Sequence, residues 1–507
     1  MQKTWKRAET FFQSDYSWWG IIFLGVFLRL LQYLLNRSFW GDEAALALNL
    51  GSRSFQELTQ LLDYHQAAPV GFLFIEKLSI TIFGNHDYIL RLFPLLAGVL
   101  AIYFIYRFAR EHFGITGLFA VGVFSIGWWL VYYSSELKQY SSDVMVALLL
   151  VFLAGNCIRD NVRTKDFLLL SIVGSLVIWI SHPSVFIMAG IGLVLVIEKF
   201  TRKEYVSWVW ILGIGIGWLA SFGIEYLVSL QNIVGDGYLI KYWQKAYIPS
   251  PFWSDKSWYL NTYYSFLLIA FHRADNVMVL STLVLTIIGT LSLLIRDKRV
   301  ALLVILPFVV SAIASVLQRY PLKDRFMLFL VPFALLLMAE GFRGIYWLVS
   351  KWNHRFAAII SWTLAFAVIW QIVPVTYKAV AGAQKDTRPA IEYLAEHRQP
   401  DDIIYVFHPT VTVFKYYSPF YGLDKDKVVF GIERPSKRVT VRRFKDDVDG
   451  LIGNKRVWFI FSELLDCVQC EAEDTQSYYL DYINNFGVIL DSFNGPGANA
   501  YLYDFSP

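Results

Sequence analysis

The sequence predicts a polytopic all-α membrane protein of about eleven transmembrane helices, carrying a soluble α/β domain at its C-terminal end. Three observations lead there. Hydrophobic residues make up 56% of the 507 and charged residues only 17%, against about 25% charged in ordinary soluble domains. Apolar runs of helix length recur over roughly the first 380 residues. Beyond them, charged segments alternate with short apolar strands, the pattern of a water-exposed α/β fold.

The expected spans lie near 18–35, 88–107, 114–133, 141–158, 166–181, 184–200, 206–229, 276–295, 300–318, 326–349 and 356–376. Trp18 and Trp19 stand where an interfacial aromatic belt precedes the first of them. No signal-peptide cleavage pattern follows Lys3, Lys6 and Arg7, so that span is expected to stay attached. Basic residues gather at every second boundary: Arg107/Arg110, Arg159/Arg163/Lys165, Lys199/Arg202/Lys203, Arg296/Lys298/Arg299 and Arg343/Lys351/Arg355. This alternation puts them in the cytoplasm with the N-terminus. It holds when the short apolar segment 69–83 is an interfacial or re-entrant helix, started by Pro69, within a long first outer loop, 36–87. The division is then a membrane domain, 1–380, and an extracytoplasmic domain, 381–507, with strands at "DDIIYVF" (401–407) and "RVWFIF" (456–461) and helices at "RPAIEYLAEH" and "QSYYLDYINNF".

A net charge of +4, without a basic stretch interleaved with glycine or aromatics, points to no nucleic-acid partner and leaves lipid as the relevant surface. Cys467 and Cys470 form a lone CxxC, compatible with a local disulfide outside the cell and lacking the second pair a zinc site needs. The eight histidines are scattered, with no HExxH or comparable pair, so a metal site cannot be argued from spacing; no cofactor is expected, with a divalent metal left open.

The charges that need a reason are the outer ones. "FWGDEAALALN" places Asp42 and Glu43 where the chain leaves the first span; Asp42 reads equally as a helix cap. Cations on the outer side run against the rule that retains positive charge inside, yet Arg91, Lys138 in "SSELKQYSSD" and Arg319, Lys323 and Arg325 in "QRYPLKDRF" all fall there. Singly, each reads as a snorkelling residue or a contact to lipid headgroups; together they look like a phosphate cradle. External carboxylates beside a phosphate site suit transfer from a lipid-linked sugar. One acid would take the acceptor proton while Arg or Lys holds the departing phosphate. His65, in "DYHQAAPVGFLFIEKL", could orient the acceptor or hold Asp42, or be a solvated loop residue. His182, in "ISHPSVF", reads equally as a structural turn.

"WGDEA", "HQAAPVGFLFIEKL", "LRLFPLLAGVLAIYFIYRFAREHFG", "YYSSELKQYSSDVMVALLL" and "DRFMLFLVPFALLL", in that order over about residues 18–345, resemble the membrane core of the GT-C glycosyltransferases. The resemblance is to the dolichyl-phosphate-mannose protein mannosyltransferases and the bacterial lipid A aminoarabinose transferases. It implies a hexosyl- or pentosyltransferase of the cell envelope that uses a polyprenyl-monophosphate sugar, with Asp42 as general base and Glu43 beside it. It also implies that Lys138 and Arg325 meet the lipid-linked phosphate; Tyr140, Arg91, His65 and His182 complete the expected substrate contacts. His65-Gln66-Ala67-Ala68-Pro69 replaces the HPP-like motif of the protein mannosyltransferases, and their luminal β-trefoil has no counterpart, which leaves the acceptor open: glycan, lipid or protein. The rival readings are a secondary transporter or flippase of a lipid-linked or anionic substrate, and a lipid-binding scaffold.

Overall fold

The computed structural model describes residues 15–160, 162–202, 207–235, 237–272, 274–381, 386–423, 427–431, 437–462 and 476–506. Cys467 and Cys470 lie outside the described residues. In chain order the helices of the N-terminal part are α1 (Asp15–Leu34), α2 (Gly41–Ser52), α3 (Val70–Phe83), α4 (Leu92–Phe113), α5 (Gly117–Ile126), α6 (Tyr140–Cys157) and α7 (Thr164–Val177). Then follow α8 (Ser184–Arg202), α9 (Ser207–Glu225), α10 (Lys256–Phe271), α11 (Asn276–Arg296), α12 (Lys298–Val316), α13 (Val331–Ser350) and α14 (His354–Ala381). The C-terminal part holds α15 (Arg388–His397), β1 (Ile403–Val406), α16 (Val411–Tyr417), β2 (Lys427–Phe430), α17 (Lys437–Asp449), β3 (Val457–Ser462), α18 (Gln476–Asn484), β4 (Val488–Asn494) and β5 (Ala498–Asp504).

The chain divides into two compact units, one of residues 1–34, 55–61 and 67–381, the other of 35–54, 62–66 and 382–507. Helix α2, which carries Asp42 and Glu43, thus belongs to the second unit.

The first unit is an integral-membrane helical assembly. Among the described residues, nine helical segments are long and apolar enough to cross a bilayer. Their outward faces keep large apolar side chains on the surface, such as Ile295, Val277 and Leu219, as hydrocarbon requires. The spans expected at 88–107 and 114–133 fall in one apolar run, Asp87–Ile126, interrupted at Gly114, whose φ of 55° leaves the helical region. The second of the two stops early, because Gly127 (φ −58°, ψ 120°) is extended and only short turns follow before α6. The span expected at 166–181 is the 14-residue α7. Helix α10 stands where no span was expected.

Close packing holds the bundle. At Gly289 in α11 an added Cβ would lie 1.8 Å from the Leu337 carbonyl oxygen of α13, and at Gly341 in α13, 2.3 Å from that of Leu285. The two backbones therefore touch where side chains would hold them apart. Buried Glu340 on α13 accepts from Ser292 Oγ at 3.0 Å and from Arg296 Nε and Nη2, each at 3.0 Å. Between α7 and α9, Trp179 Nε1 donates to Ser221 Oγ at 3.0 Å, and that hydroxyl donates to the Ser175 carbonyl at 2.6 Å. Pro69 precedes α3 as expected, and the Gly71 amide of α3 donates to the Trp179 carbonyl at 2.7 Å.

The second unit contains a five-stranded mixed sheet in the order β2-β1-β3-β5-β4. Strands β2, β1 and β3 are parallel; β5 pairs antiparallel with β3 and β4. Every residue of β3 is buried, as a central strand covered on both faces should be. Val457, Phe459 and Phe461 pack with Tyr405, Phe444, Val448, Tyr479 and Ile483. On the same strand Trp458 Nε1 donates to Asp402 Oδ2 at 2.9 Å, and Arg456 Nε donates to Asp402 Oδ1 at 2.7 Å.

Candidate functional site

The carboxylate segment is built by the second unit. Helix α2 starts at Gly41, its N-cap position being Trp40, and no side chain caps it. The cap reading of Asp42 is therefore corrected: it lies in the first turn, where its charge suits the helix dipole, and is partly accessible. Glu43 is wholly buried and accepts from Arg37 Nη1 at 2.6 Å. The adjacent acids thus differ in burial, Asp42 being partly accessible and Glu43 buried in an ion pair with Arg37.

The C-terminal segment braces this helix. The Phe39 amide donates to the Tyr417 hydroxyl at 2.8 Å, Thr412 Oγ1 donates to the Gly41 carbonyl at 3.2 Å, and the Thr387 amide donates to Ser38 Oγ at 2.8 Å. Phe39 stacks at a tilt on Tyr416, with centroids 5.0 Å apart. Loop 62–66 is tied to the same helix by a reciprocal pair: Asn49 Nδ2 donates to the Asp63 carbonyl (3.2 Å), and the Asp63 amide donates to Asn49 Oδ1 (2.9 Å). Arg53 adds an ion pair to Asp63 at 3.0 Å. His65 is exposed on this loop with φ 52°, following Tyr64 at φ 59°. Two successive left-handed residues fix where it projects, at a cost that local bracing offsets.

The cationic corner belongs to the first unit. The hairpin tip before α6 is not the solvated loop that its composition suggests: Glu136 and Lys138 are 1% and 4% exposed. The start of α6 packs against a 3-10 helix, Asp324–Leu330, that leads into α13. Arg325 sits there with its guanidinium 5.5 Å from the centre of the Tyr140 ring, a cation–π contact. Tyr133 has Glu136, Tyr140 and Arg325 as electrostatic neighbours. Expected residues Tyr140 and Arg325 are thus brought together, with Lys138 two residues from Tyr140, whereas Arg319 and Lys323 are exposed. Arg91 is buried between the short helix Asp87–Leu90 and α4, with Tyr33 as neighbour. His182 stands in the turn between α7 and α8, its Nε2 3.5 Å from Glu225 Oε1.

Sequence reasoning missed Asp143, Glu225 and Tyr320. The two acids lie inside runs counted as spans, and an acid at membrane depth is itself a signal. Tyr320 donates its hydroxyl to the Phe326 carbonyl at 2.9 Å and has Asp143 and Tyr140 as electrostatic neighbours. Among the described residues, no three His, Cys, Asp or Glu are grouped to hold a metal ion.

The profile of the dolichyl-phosphate-mannose-protein mannosyltransferase family matches residues 67–223. No curated protein matches the chain. Among solved structures, ArnT from Cupriavidus metallidurans bound to undecaprenyl phosphate is similar with a TM-score of 0.52 at 13% identity, covering 95% of this chain and 98% of its own. The Archaeoglobus fulgidus oligosaccharyltransferase in complex with Zn and sulfate is similar with a TM-score of 0.54 at 12% identity, covering 96% and 73%. The oligosaccharyltransferase AglB of the same archaeon, in complex with an inhibitory peptide and a dolichol-phosphate, gives a TM-score of 0.50 at 12% identity, covering 96% and 74%. The chain has the fold of the GT-C superfamily membrane glycosyltransferases and resembles the dolichyl-phosphate-mannose protein mannosyltransferases and ArnT.

Proposed function

We propose that this protein transfers a sugar from a polyprenyl-monophosphate carrier to an acceptor hydroxyl at the outer face of the membrane. The observation that carries the reading is Arg325 held over the ring of Tyr140, with Lys138 two residues from that ring in sequence, on a fold whose neighbours are in complex with undecaprenyl phosphate or a dolichol-phosphate. Asp42 accepts the acceptor's hydroxyl proton as that oxygen bonds to the anomeric carbon. The bond from that carbon to the phosphate oxygen breaks, and the polyprenyl phosphate leaves with the electron pair, held by Arg325 and Lys138. Displacement in one step inverts the anomeric centre. Glu43 is a positioning residue, because its carboxylate is committed to Arg37. Fixed cations supply the charge that a leaving monophosphate needs, so the reaction calls for no divalent ion.

Mass spectrometry of the protein purified with its native lipid tests the donor class. A co-purifying polyprenyl phosphate, free or carrying one sugar, supports the reading; its absence, with counterflow of a soluble anion in proteoliposomes, would replace it with the transporter.

A further inference from the structure

Beyond the cationic corner, the first unit holds a group of buried polar atoms that lack partners. Glu225 is 1% exposed, and both its carboxylate oxygens, with Ser181 Oγ, Asp143 Oδ1 and His182 Nε2, have no hydrogen-bond partner among the described residues. His182 and Glu225 face each other at 3.5 Å. Ser181 precedes His182 and faces Asp143. Glu225 ends α9 where the helix opens into a π-helical turn, Tyr226–Leu230. Leaving such atoms unpaired is costly, native proteins keep few of them, and each calls for a functional or bound partner.

The group has a fixed relation to the cation. Asp143 lies on the first turn of α6, three residues after Tyr140, so the two share a face with Cβ atoms about 5–6 Å apart. Tyr140 carries Arg325 on its ring. Tyr320 and Phe326 fill the ground between, with Tyr140 and Phe326 centroids 6.2 Å apart, Tyr320 and Phe326 6.2 Å apart, and Phe186 against Tyr320 at 4.9 Å. Aromatic faces beside a few convergent polar groups suit a compact ligand that is apolar on one face and rich in hydrogen-bond donors at its edge. A sugar ring has that character.

We propose that Glu225, Asp143, Ser181 and His182 form the subsite that receives the glycosyl group of the lipid-linked donor, the carboxylates accepting from its hydroxyl or ammonium groups. The inference rests on the polyprenyl-phosphate reading and adds to it the residues that select the sugar. Acceptor-rich side chains favour ring substituents that donate and oppose an anionic sugar. His182, between Glu225 and the turn, orients that carboxylate.

The test measures binding to the full chain in nanodiscs of three probes: undecaprenyl phosphate, the same lipid carrying a neutral hexose, and the same lipid carrying an amino-substituted hexose. The wild type should prefer one glycosylated probe over undecaprenyl phosphate. Glu225→Gln and Asp143→Asn should each reduce that preference by about 10- to 100-fold, the size of a hydrogen bond to a charged group, with affinity for undecaprenyl phosphate within about two-fold of wild type. A lost preference for the amino sugar identifies an ammonium as the partner; a lost preference for the neutral one identifies hydroxyls. If Glu225→Gln fails to fold, Ser181→Ala and His182→Asn read the same preference. An unchanged preference in these variants, or none in the wild type, overturns the subsite while leaving the donor class intact. Failure of the wild type to bind undecaprenyl phosphate at all overturns the donor class and the subsite together.

Discussion

Asp42 and Glu43 show how neighbouring residues of one chemical type come to differ. Glu43 points into the second unit and is held by Arg37, whereas Asp42 is partly accessible and is the proposed base. Asp42→Asn should therefore cut turnover by about a hundredfold or more, the scale of general base catalysis, with little change in thermal unfolding. Glu43→Ala should instead lower stability by about 3–5 kcal/mol, because it strands a buried guanidinium, and unfolding curves of the two variants read the difference. Lys138 and Arg325 make a second residue-level case. If they share one phosphate, each alanine variant should weaken lipid-phosphate binding by about 1–3 kcal/mol, and the double variant by less than the sum. Arg319 and Lys323 are exposed, and their alanine variants should bind as wild type does; equal losses from all four would indicate general attraction to anionic lipid.

At the scale of elements, the contact between α11 and α13 depends on two glycines. Gly289→Ala and Gly341→Ala would drive a methyl group into a facing carbonyl, so each should destabilise the protein by about 1–3 kcal/mol or force the helices apart. Gly122, inside α5, has nothing within 4 Å of its added Cβ. Gly122→Ala should leave thermal unfolding unchanged or raise it slightly through helix propensity. The sheet carries a pH dependence of its own. Burial pulls His408, just after β1, down to about 4 from an ordinary value of about 6.5. The folded state then binds fewer protons than the unfolded one, so its stability is complete above about pH 6.5 and declines as pH falls toward 4, by at most about 3 kcal/mol. Limited proteolysis across 403–417 in the full chain should quicken between about pH 7 and about pH 4.5. His408→Gln should flatten that dependence.

For the whole molecule, we propose from the alternation of basic boundaries that the second unit faces outside. Asp401 is fully exposed and Lys165 is exposed on a predicted inner loop. In a chain with Cys467 and Cys470 replaced by Ser, a membrane-impermeant maleimide applied to intact cells should label Asp401→Cys and spare Lys165→Cys. The reverse labelling would invert the topology and remove the argument that an outer cation needs a special reason.

Composition and hydropathy alone determined the membrane class, the switch to an α/β segment near residue 380 and the helices at 388–397 and 476–484, because these depend on local periodicity and on the cost of placing charge in lipid. Sequence order also singled out Lys138 and Arg325 as candidates, since a cation on the outer side of a membrane is visible without coordinates, and the resemblance added the role of Asp42. Only the tertiary structure decided that 35–54 and 62–66 join the C-terminal unit, that Glu43 is taken by Arg37, and that Glu225 meets His182. The first and the last of these pair segments distant in sequence whose local patterns are satisfied in other ways, so nothing in their spacing announces the partner, and the Arg37–Glu43 pair depends on how the chain turns into α2. The turn at Gly127 was hidden for a related reason: its apolar surroundings read as helix until packing and the buried turn before α6 set where the chain must bend.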